Sequence, residues 1–174
     1  TLNLEPCTLN LLYCTLHRLL YFRRHQNATF PPGHRGLGEH ALVHESLAAG
    51  VAIARECART YCGPWALAAL ALAIDDPGRS RVLLDEGERW LAEGCVSHNY
   101  LEFYRHAIEV SLRSGDWSLA DRYADALDYY TSEERLPWAD LVIGCGRTLA
   151  RTGRSGSELP ARADRDALLD DARR

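Results

Sequence analysis

Apolar residues recur at helical spacing along most of this chain, and short breaks divide them at regular intervals. Helix-start signals fall at Gly38-Glu39, Asp75-Asp76-Pro77, Gly115-Asp116-Trp117 and Gly153-Arg154, in steps of 37, 40 and about 38 residues. Each step holds two helical patterns and two short turns. This period predicts an all-α fold of stacked antiparallel helix hairpins, which is an α-solenoid.

The individual helices are predicted from amphipathic spacing and from the Gly, Pro and Asp residues between them. They cover residues 8–24, 39–61, 64–74, 78–94, 98–114, 117–131 and 137–151, with a further short helix at 164–173. Gly63-Pro64 is expected to end one helix, and Pro64 to begin the next, because the first helical turn tolerates proline. Asp76 and Asp116 are expected to cap the helices that follow them.

The spacing of apolar residues also predicts which face of each helix is buried. Residues 64–74 carry no charge, which predicts a helix enclosed on most sides. The predicted inner residues of 78–94 are Val82, Leu83, Trp90 and Leu91. Those of 98–114 are Tyr100, Tyr104, Ala107, Ile108 and Ser111, with His106 among the charged residues opposite. Those of 117–131 include Tyr123, Leu127 and Tyr130, and those of 137–151 are Leu141, Cys145, Thr148 and Leu149.

The segment from Gln26 to Gly38 holds two prolines and three glycines, which predicts a loop and a domain boundary. We therefore expect an N-terminal helix and loop at 1–38, a helical-repeat domain at 39–152 and a polar tail or weak capping helix at 153–174. The chain contains no methionine. We expect a processed chain or a piece of a longer protein.

Composition narrows the possible partners and the cellular location. The formal net charge of −4 gives no electrostatic basis for binding nucleic acid or an anionic membrane. No run of about 18 uninterrupted apolar residues is present, so no membrane-spanning helix is expected. The six cysteines are scattered without a CxxC pair, which favours a reducing, cytoplasmic location.

Residues 98–137 are similar to a tetratricopeptide repeat. The residues that carry the similarity are Tyr104, Gly115-Asp116-Trp117, Ala120, Ala124, Leu127 and Pro137. Residues 40–152 further resemble the degenerate C-terminal repeats of bacterial ATPase-linked nucleotide cyclases and ATP-binding transcriptional regulators. The segments concerned are ESLAAGVAIARE, DDPGRSRVLLDEGERWLAEG and SGDWSLADRYADAL. The resemblance implies a non-catalytic scaffold or sensor region of a bacterial signalling protein.

In the tetratricopeptide family the first helix of each pair lines a concave groove. The resemblance therefore implies a partner-binding groove formed by Tyr100, Glu102, Arg105, Glu109, Arg113, Asp140 and Arg147. The expected partner is a protein, a peptide or another domain of a parent chain, and a homo-oligomer is also possible. A solvated polar helix face is the alternative interpretation of the same residues.

A different class of function is a small helical enzyme or a metal-binding protein. His40 and His44 stand four residues apart on a predicted helix, which is a spacing that can hold a metal ion. Glu102 and His106 have the spacing of an acid–base pair. Surface histidines and an ordinary helix-surface contact explain both pairs more simply, because no third ligand is fixed. We therefore expect no catalytic residue, no metal and no cofactor, and no lysine is present to complete a phosphate-binding loop.

Overall fold

The computed structural model describes residues 37–156, and it describes the side chains of residues 44–156. These residues form α1 (Leu37–Ile53), a π-helical turn (Ala54–Ala58), α2 (Arg59–Ala73), α3 (Pro77–Ala92), α4 (Ser97–Ser114), α5 (Trp117–Tyr130) and α6 (Pro137–Arg154). No strand occurs between residues 37 and 156, so the predicted all-α class is confirmed. The helices predicted at 8–24 and 164–173 lie outside the described residues.

The chain forms two compact units, and the division falls inside α4, between Asn99 and Tyr100. In the first unit, α2 packs along α3 and also contacts α1. In the second unit, α5 packs along α6. Within each unit, helices that are consecutive in the chain therefore bury their apolar faces against each other.

Helix α2 is the buried centre of the first unit. Every residue from Cys62 to Leu72 is buried, which confirms the prediction made from its uncharged sequence. The helix is rich in alanine, and small side chains allow neighbouring helices to approach closely while polar groups stay at the ends.

The predicted helix break at Gly63-Pro64 is wrong, because α2 continues through Pro64. The helical geometry is interrupted earlier in the chain, at the π-helical turn Ala54–Ala58. The α-helix resumes at Arg59. Pro64 has no N–H to donate to the carbonyl of Thr60, four residues earlier. The backbone N–H of Val96 donates to that carbonyl instead, over 3.0 Å. The helix tolerates the proline because a distant residue uses the hydrogen-bond acceptor that it leaves open.

Two predicted inner faces are also wrong in part. Val82 is 65% exposed on α3, while Leu83, Trp90 and Leu91 are buried as predicted. On α6 the predicted Leu141 and Leu149 are exposed. The buried residues of α6 are Ala139, Ile143, Gly146 and Ala150.

The face of α6 is selected by a close approach to α4. A Cβ atom added to Gly146 would lie 2.9 Å from Cγ2 of Ile108, so a larger residue there would force its neighbours to shift. The ring of Trp117, which follows the turn between α4 and α5, packs against Gly153 in the same way. Three of the four buried residues of α6 are therefore small, and Leu141 and Leu149 lie on its outer side.

The predicted capping residues are confirmed at both turns. Oδ1 of Asp76 accepts a hydrogen bond from the backbone N–H of Arg79 over 3.1 Å. Oδ1 of Asp116 accepts one from the N–H of Leu119 over 3.0 Å. Gly115 adopts a φ of 73°, a backbone conformation that favours glycine, and it lets the chain turn sharply from α4 into the Asp116 cap.

Candidate binding surface

The predicted groove residues of α4 form a row of mixed charge on that helix. Nη2 of Arg105 lies 2.5 Å from Oε2 of Glu102, three residues earlier, and both side chains are half-buried. Glu109 and Arg113 are exposed further along the helix. The ion pair fixes the position of Arg105, and the side chains of Glu109 and Arg113 lie at the surface of the helix.

His106 is the residue of α4 whose predicted exposed position is wrong, because it is only 3% exposed. Its Nδ1 lies 2.7 Å from the backbone carbonyl oxygen of Glu102, and its Nε2 lies 3.4 Å from Nη2 of Arg105. The carboxylate of Glu102 meets Arg105 instead of the imidazole. The acid–base pair considered as an alternative for the Glu102 and His106 side chains is therefore not formed. The sequence does contain a pattern that predicts the burial of His106. It has helical spacing with the apolar Phe103 and Val110, and all three are buried on one face of α4.

The two groove residues predicted on α6 are held by intramolecular ion pairs. Oδ1 of Asp140 lies 2.5 Å from Nη2 of Arg135, in the connection between α5 and α6. Nη2 of Arg147 lies 2.6 Å from Oδ1 of Asp125 and 2.9 Å from Oδ2 of Asp128. A partner that binds Asp140 or Arg147 has to compete with these contacts or add to them.

Asp128 is the centre of this charge network. Its carboxylate accepts hydrogen bonds from Arg135 over 2.6 Å and from Arg147 over 2.9 Å. These two guanidinium groups, Arg135 first, hold the pKa of Asp128 below its ordinary value. The network was not predicted. The sequence does contain a matching pattern, because Asp121 and Asp128 are seven residues apart on α5, as are Arg147 and Arg154 on α6. In the structure Arg154 pairs with Asp121 over 2.5 Å, and Arg147 pairs with Asp128.

An aromatic pair lies beside the charged row. The rings of Tyr100 and Tyr130 stack with their centroids 4.7 Å apart and their planes 9° apart. Tyr130 was predicted to be buried but is 37% exposed, and its neighbour Tyr129 is 84% exposed. Partial burial, together with the nearby Tyr100, raises the pKa of the Tyr130 hydroxyl. The end of α5 thus presents tyrosine rings to the solvent next to the start of the α4 row.

The histidines of the alternative metal site both lie on α1. His44 is half-buried, and the side chain of His40 lies outside the described residues. Among the described side chains, no three His, Cys, Asp or Glu residues come together in a group able to hold a metal ion. Within residues 37–156, no helix combines the length and the apolar character needed to cross a membrane.

No family model, curated protein or solved structure matches this chain. The relationship to tetratricopeptide repeats therefore stays a prediction from the residues quoted above. The surface of the described helices carries the mixed-charge row of α4 and, beside it, the exposed tyrosines at the end of α5.

Proposed function

We propose that this chain is a non-catalytic helical-repeat module that binds a protein or peptide through one face of α4. The observation that carries the proposal is the mixed-charge row on α4, with exposed Glu109 and Arg113 beyond the Glu102–Arg105 ion pair. Such a module would act as a binding or relay region of a bacterial signalling protein in the cytoplasm.

The chemistry of this face suits recognition of a polar segment. Tyrosine and arginine are enriched at protein interfaces because they combine large contact area with directional hydrogen bonding. Arg105 is already oriented by Glu102, so its ordering on binding costs less side-chain entropy. A peptide with alternating charge would complement the acidic and basic residues along α4.

The residues on α6 have a secondary part in this proposal. Asp140 and Arg147 are engaged with Arg135 and with the aspartates of α5. We assign partner selection mainly to Tyr100, Arg105, Glu109 and Arg113 of α4. Asp140 and Arg147 would form the edge of the groove and keep α6 in place along α5.

The proposed stacking of tetratricopeptide-like hairpins is supported by glycines at helix contacts inside each unit. Gly63 of α2 packs against the ring of Trp90, and Gly146 of α6 packs against Ile108. Because glycine has no side chain, it allows two helix axes to come close together, as stacked hairpins require.

The test is to pan a library of short random peptides against the immobilised protein and to measure the affinity of the enriched peptides by fluorescence polarisation. The variant Arg105→Glu/Arg113→Glu reverses two charges of the α4 row, and we expect its affinity to fall about tenfold or more. The matched control Arg79→Glu/Arg89→Glu reverses two exposed charges of α3 and is expected to bind normally.

Circular dichroism separates a loss of binding from a loss of folding. Retained helicity with weakened binding supports the proposal. Equal loss of helicity and binding would contradict the assignment of these arginines to partner selection, as would equal weakening by the α3 control.

A further inference from the structure

The guanidinium group of Arg105 is held on two sides by its neighbours on α4. Nη2 of Arg105 lies 2.5 Å from Oε2 of Glu102 and 3.4 Å from Nε2 of His106. Glu102 also contacts the imidazole, because its backbone carbonyl oxygen lies 2.7 Å from Nδ1 of His106. The three residues therefore form a closed cycle, in which each one contacts both of the others.

The donors and acceptors of this cycle assign the proton of His106. A backbone carbonyl oxygen only accepts hydrogen bonds, so Nδ1 of His106 carries the proton and donates to Glu102. A guanidinium group only donates, so Nε2 of His106 accepts from Nη2 of Arg105. An imidazole with a proton on one nitrogen and a lone pair on the other is neutral. The cycle therefore combines one negative, one positive and one neutral side chain.

His106 provides a fixed acceptor for an arginine that reaches the surface. The histidine is only 3% exposed, and Phe103 and Val110 are buried on the same face of α4. Arg105 keeps 27% of its side chain exposed. Its Nη1 atom carries further N–H donors, which the contacts of Nη2 with Glu102 and His106 do not use. A partner at this face would bind these Nη1 donors.

Charge decides which acceptor of a partner suits Arg105. Glu102 already neutralises the guanidinium group, so a second carboxylate at Arg105 would also meet the negative charge of Glu102. The oxygen of a peptide carbonyl or of a side-chain amide accepts the same hydrogen bonds without this repulsion. The cycle therefore favours an uncharged acceptor.

We propose that His106 is a positioning residue, which together with Glu102 orients Arg105 to donate hydrogen bonds to an uncharged amide oxygen of a bound peptide. The inference rests on the proposed peptide-binding function and names the chemistry of the partner at one position. His106 acts through Arg105 and is itself buried.

The first measurement needs no peptide and uses NMR spectroscopy of the isotope-labelled 174-residue chain. At about pH 8, where a free imidazole is neutral, the signals of His106 should show the proton on Nδ1. These signals are identified by their absence from His106→Gln. Nε of Arg105 is buried, so its N–H should exchange slowly with solvent in the wild type. Exchange should be about threefold faster or more in His106→Leu, which has no acceptor, and slow again in His106→Gln, whose amide oxygen accepts.

The second measurement determines the affinity of the panned peptides by fluorescence polarisation. His106→Leu should weaken binding about threefold to tenfold, whereas His106→Gln should stay within about twofold of the wild type. In an Arg105→Ala background, His106→Leu should cause no further loss, because the arginine through which it acts is absent. The matched control Val110→Ala changes another buried residue of the same face and should leave the affinity unchanged.

The variant Glu102→Gln tests the chemistry of the partner. It leaves the charge of Arg105 uncompensated, so panning against this variant should enrich acidic peptides relative to panning against the wild type. Equal enrichment of acidic residues by the two proteins would overturn the assignment of an uncharged acceptor.

The positioning role has its own contradicting results. A proton on Nε2 of His106, or an exchange rate of Arg105 that His106→Leu leaves unchanged, would show that the imidazole does not orient the arginine. Equal loss of affinity from His106→Leu with and without Arg105 would show a general structural role instead. Failure to enrich any peptide contradicts the proposed function and with it the amide acceptor, while the NMR result decides separately whether His106 orients Arg105.

Discussion

The side-chain amide of Asn99 donates a 2.8 Å hydrogen bond to the backbone carbonyl of Tyr61, and Asn99 is fully buried. The same nitrogen lies 3.3 Å from the carbonyl of Thr60, and Oδ1 accepts from the N–H of Trp65 over 3.4 Å. These groups surround Pro64, which interrupts the hydrogen-bond ladder of α2. Asn99, at the start of α4, therefore provides hydrogen-bond partners for the backbone groups next to Pro64 in α2.

Replacing Asn99 by leucine keeps the approximate volume but removes these hydrogen bonds. Buried carbonyl and N–H groups left without partners cost about 1–3 kcal/mol each in net stability. We expect Asn99→Leu to lower the free energy of unfolding by about 3 kcal/mol, measured by urea denaturation. The control Val96→Ala keeps the backbone N–H that bonds Thr60 and trims a side chain that is 45% exposed, so it should cost far less. Equal losses in the two variants would contradict the role given to Asn99.

Two glycines of α6 give a matched pair of substitutions. A Cβ at Gly146 would lie 2.9 Å from Cγ2 of Ile108, whereas a Cβ at Gly144 would meet nothing within 4 Å. We expect Gly146→Ala to destabilise the protein by about 1–3 kcal/mol through overpacking. Gly144→Ala should stabilise it by about 0.5–1 kcal/mol, because alanine is the better helix former. Both values are read from urea denaturation of the purified variants.

A double-mutant cycle identifies the source of the Gly146 effect. Ile108→Ala removes the atom that the new methyl group would meet, so Gly146→Ala should cost less in that background. An unchanged cost would show that the contact with Ile108 is not the cause.

The features that the sequence predicted correctly are local ones. The caps at Asp76 and Asp116 depend on neighbouring N–H groups, and the uncharged run of α2 is sufficient to predict its burial. The continuation of α2 through Pro64 could not be predicted in this way. It depends on Val96 and Asn99, which lie more than thirty residues further along the chain.

The face of α6 shows the same limit. Hydrophobicity favours Leu141 and Leu149 as buried residues, yet the backbone of α6 comes so close to Ile108 that the inner position belongs to Gly146. The short distance between α4 and α6 admits only a small residue at this contact, and this requirement decides which face of α6 turns inward. For the candidate surface, the spacing of α4 placed Glu109 and Arg113 correctly in solvent. The pairing of Arg147 with Asp125 and Asp128 requires knowledge of how α6 lies along α5.

Asp128 predicts an acid-dependent loss of stability. Its folded-state pKa lies below the ordinary value of 3.8 because Arg135 and Arg147 bond to its carboxylate. A carboxyl group with a depressed folded pKa stabilises the folded state above its unfolded pKa, and this contribution is lost as the pH falls through the folded pKa. We expect Asp128→Asn to flatten the fall in unfolding free energy below about pH 4. The measurement is urea denaturation across that range.

The control for Asp128 is Glu133→Gln, an exposed carboxyl of the turn between α5 and α6. It should leave the acid dependence nearly unchanged. Added salt should reduce the difference between wild type and Asp128→Asn, since the ion pairs of Asp128 lie at the surface. A pH profile of Asp128→Asn that is superimposable on wild type would show that these ion pairs do not contribute to stability.

Two cysteines near the start of α2 should differ sharply in reactivity. Cys57 is exposed, whereas Cys62 is 1% exposed, and burial raises the pKa of the Cys62 thiol from 9.0 to about 11. Alkylation requires both access and thiolate, so at about pH 8 the native protein should be labelled at Cys57 and protected at Cys62. Trypsin cleaves after Arg59, between the two cysteines, so mass spectrometry can read each one separately. Denaturation in guanidinium chloride should remove the difference. Equal labelling of the native protein would show that α2 opens at Cys62 and would contradict the buried core described for this helix.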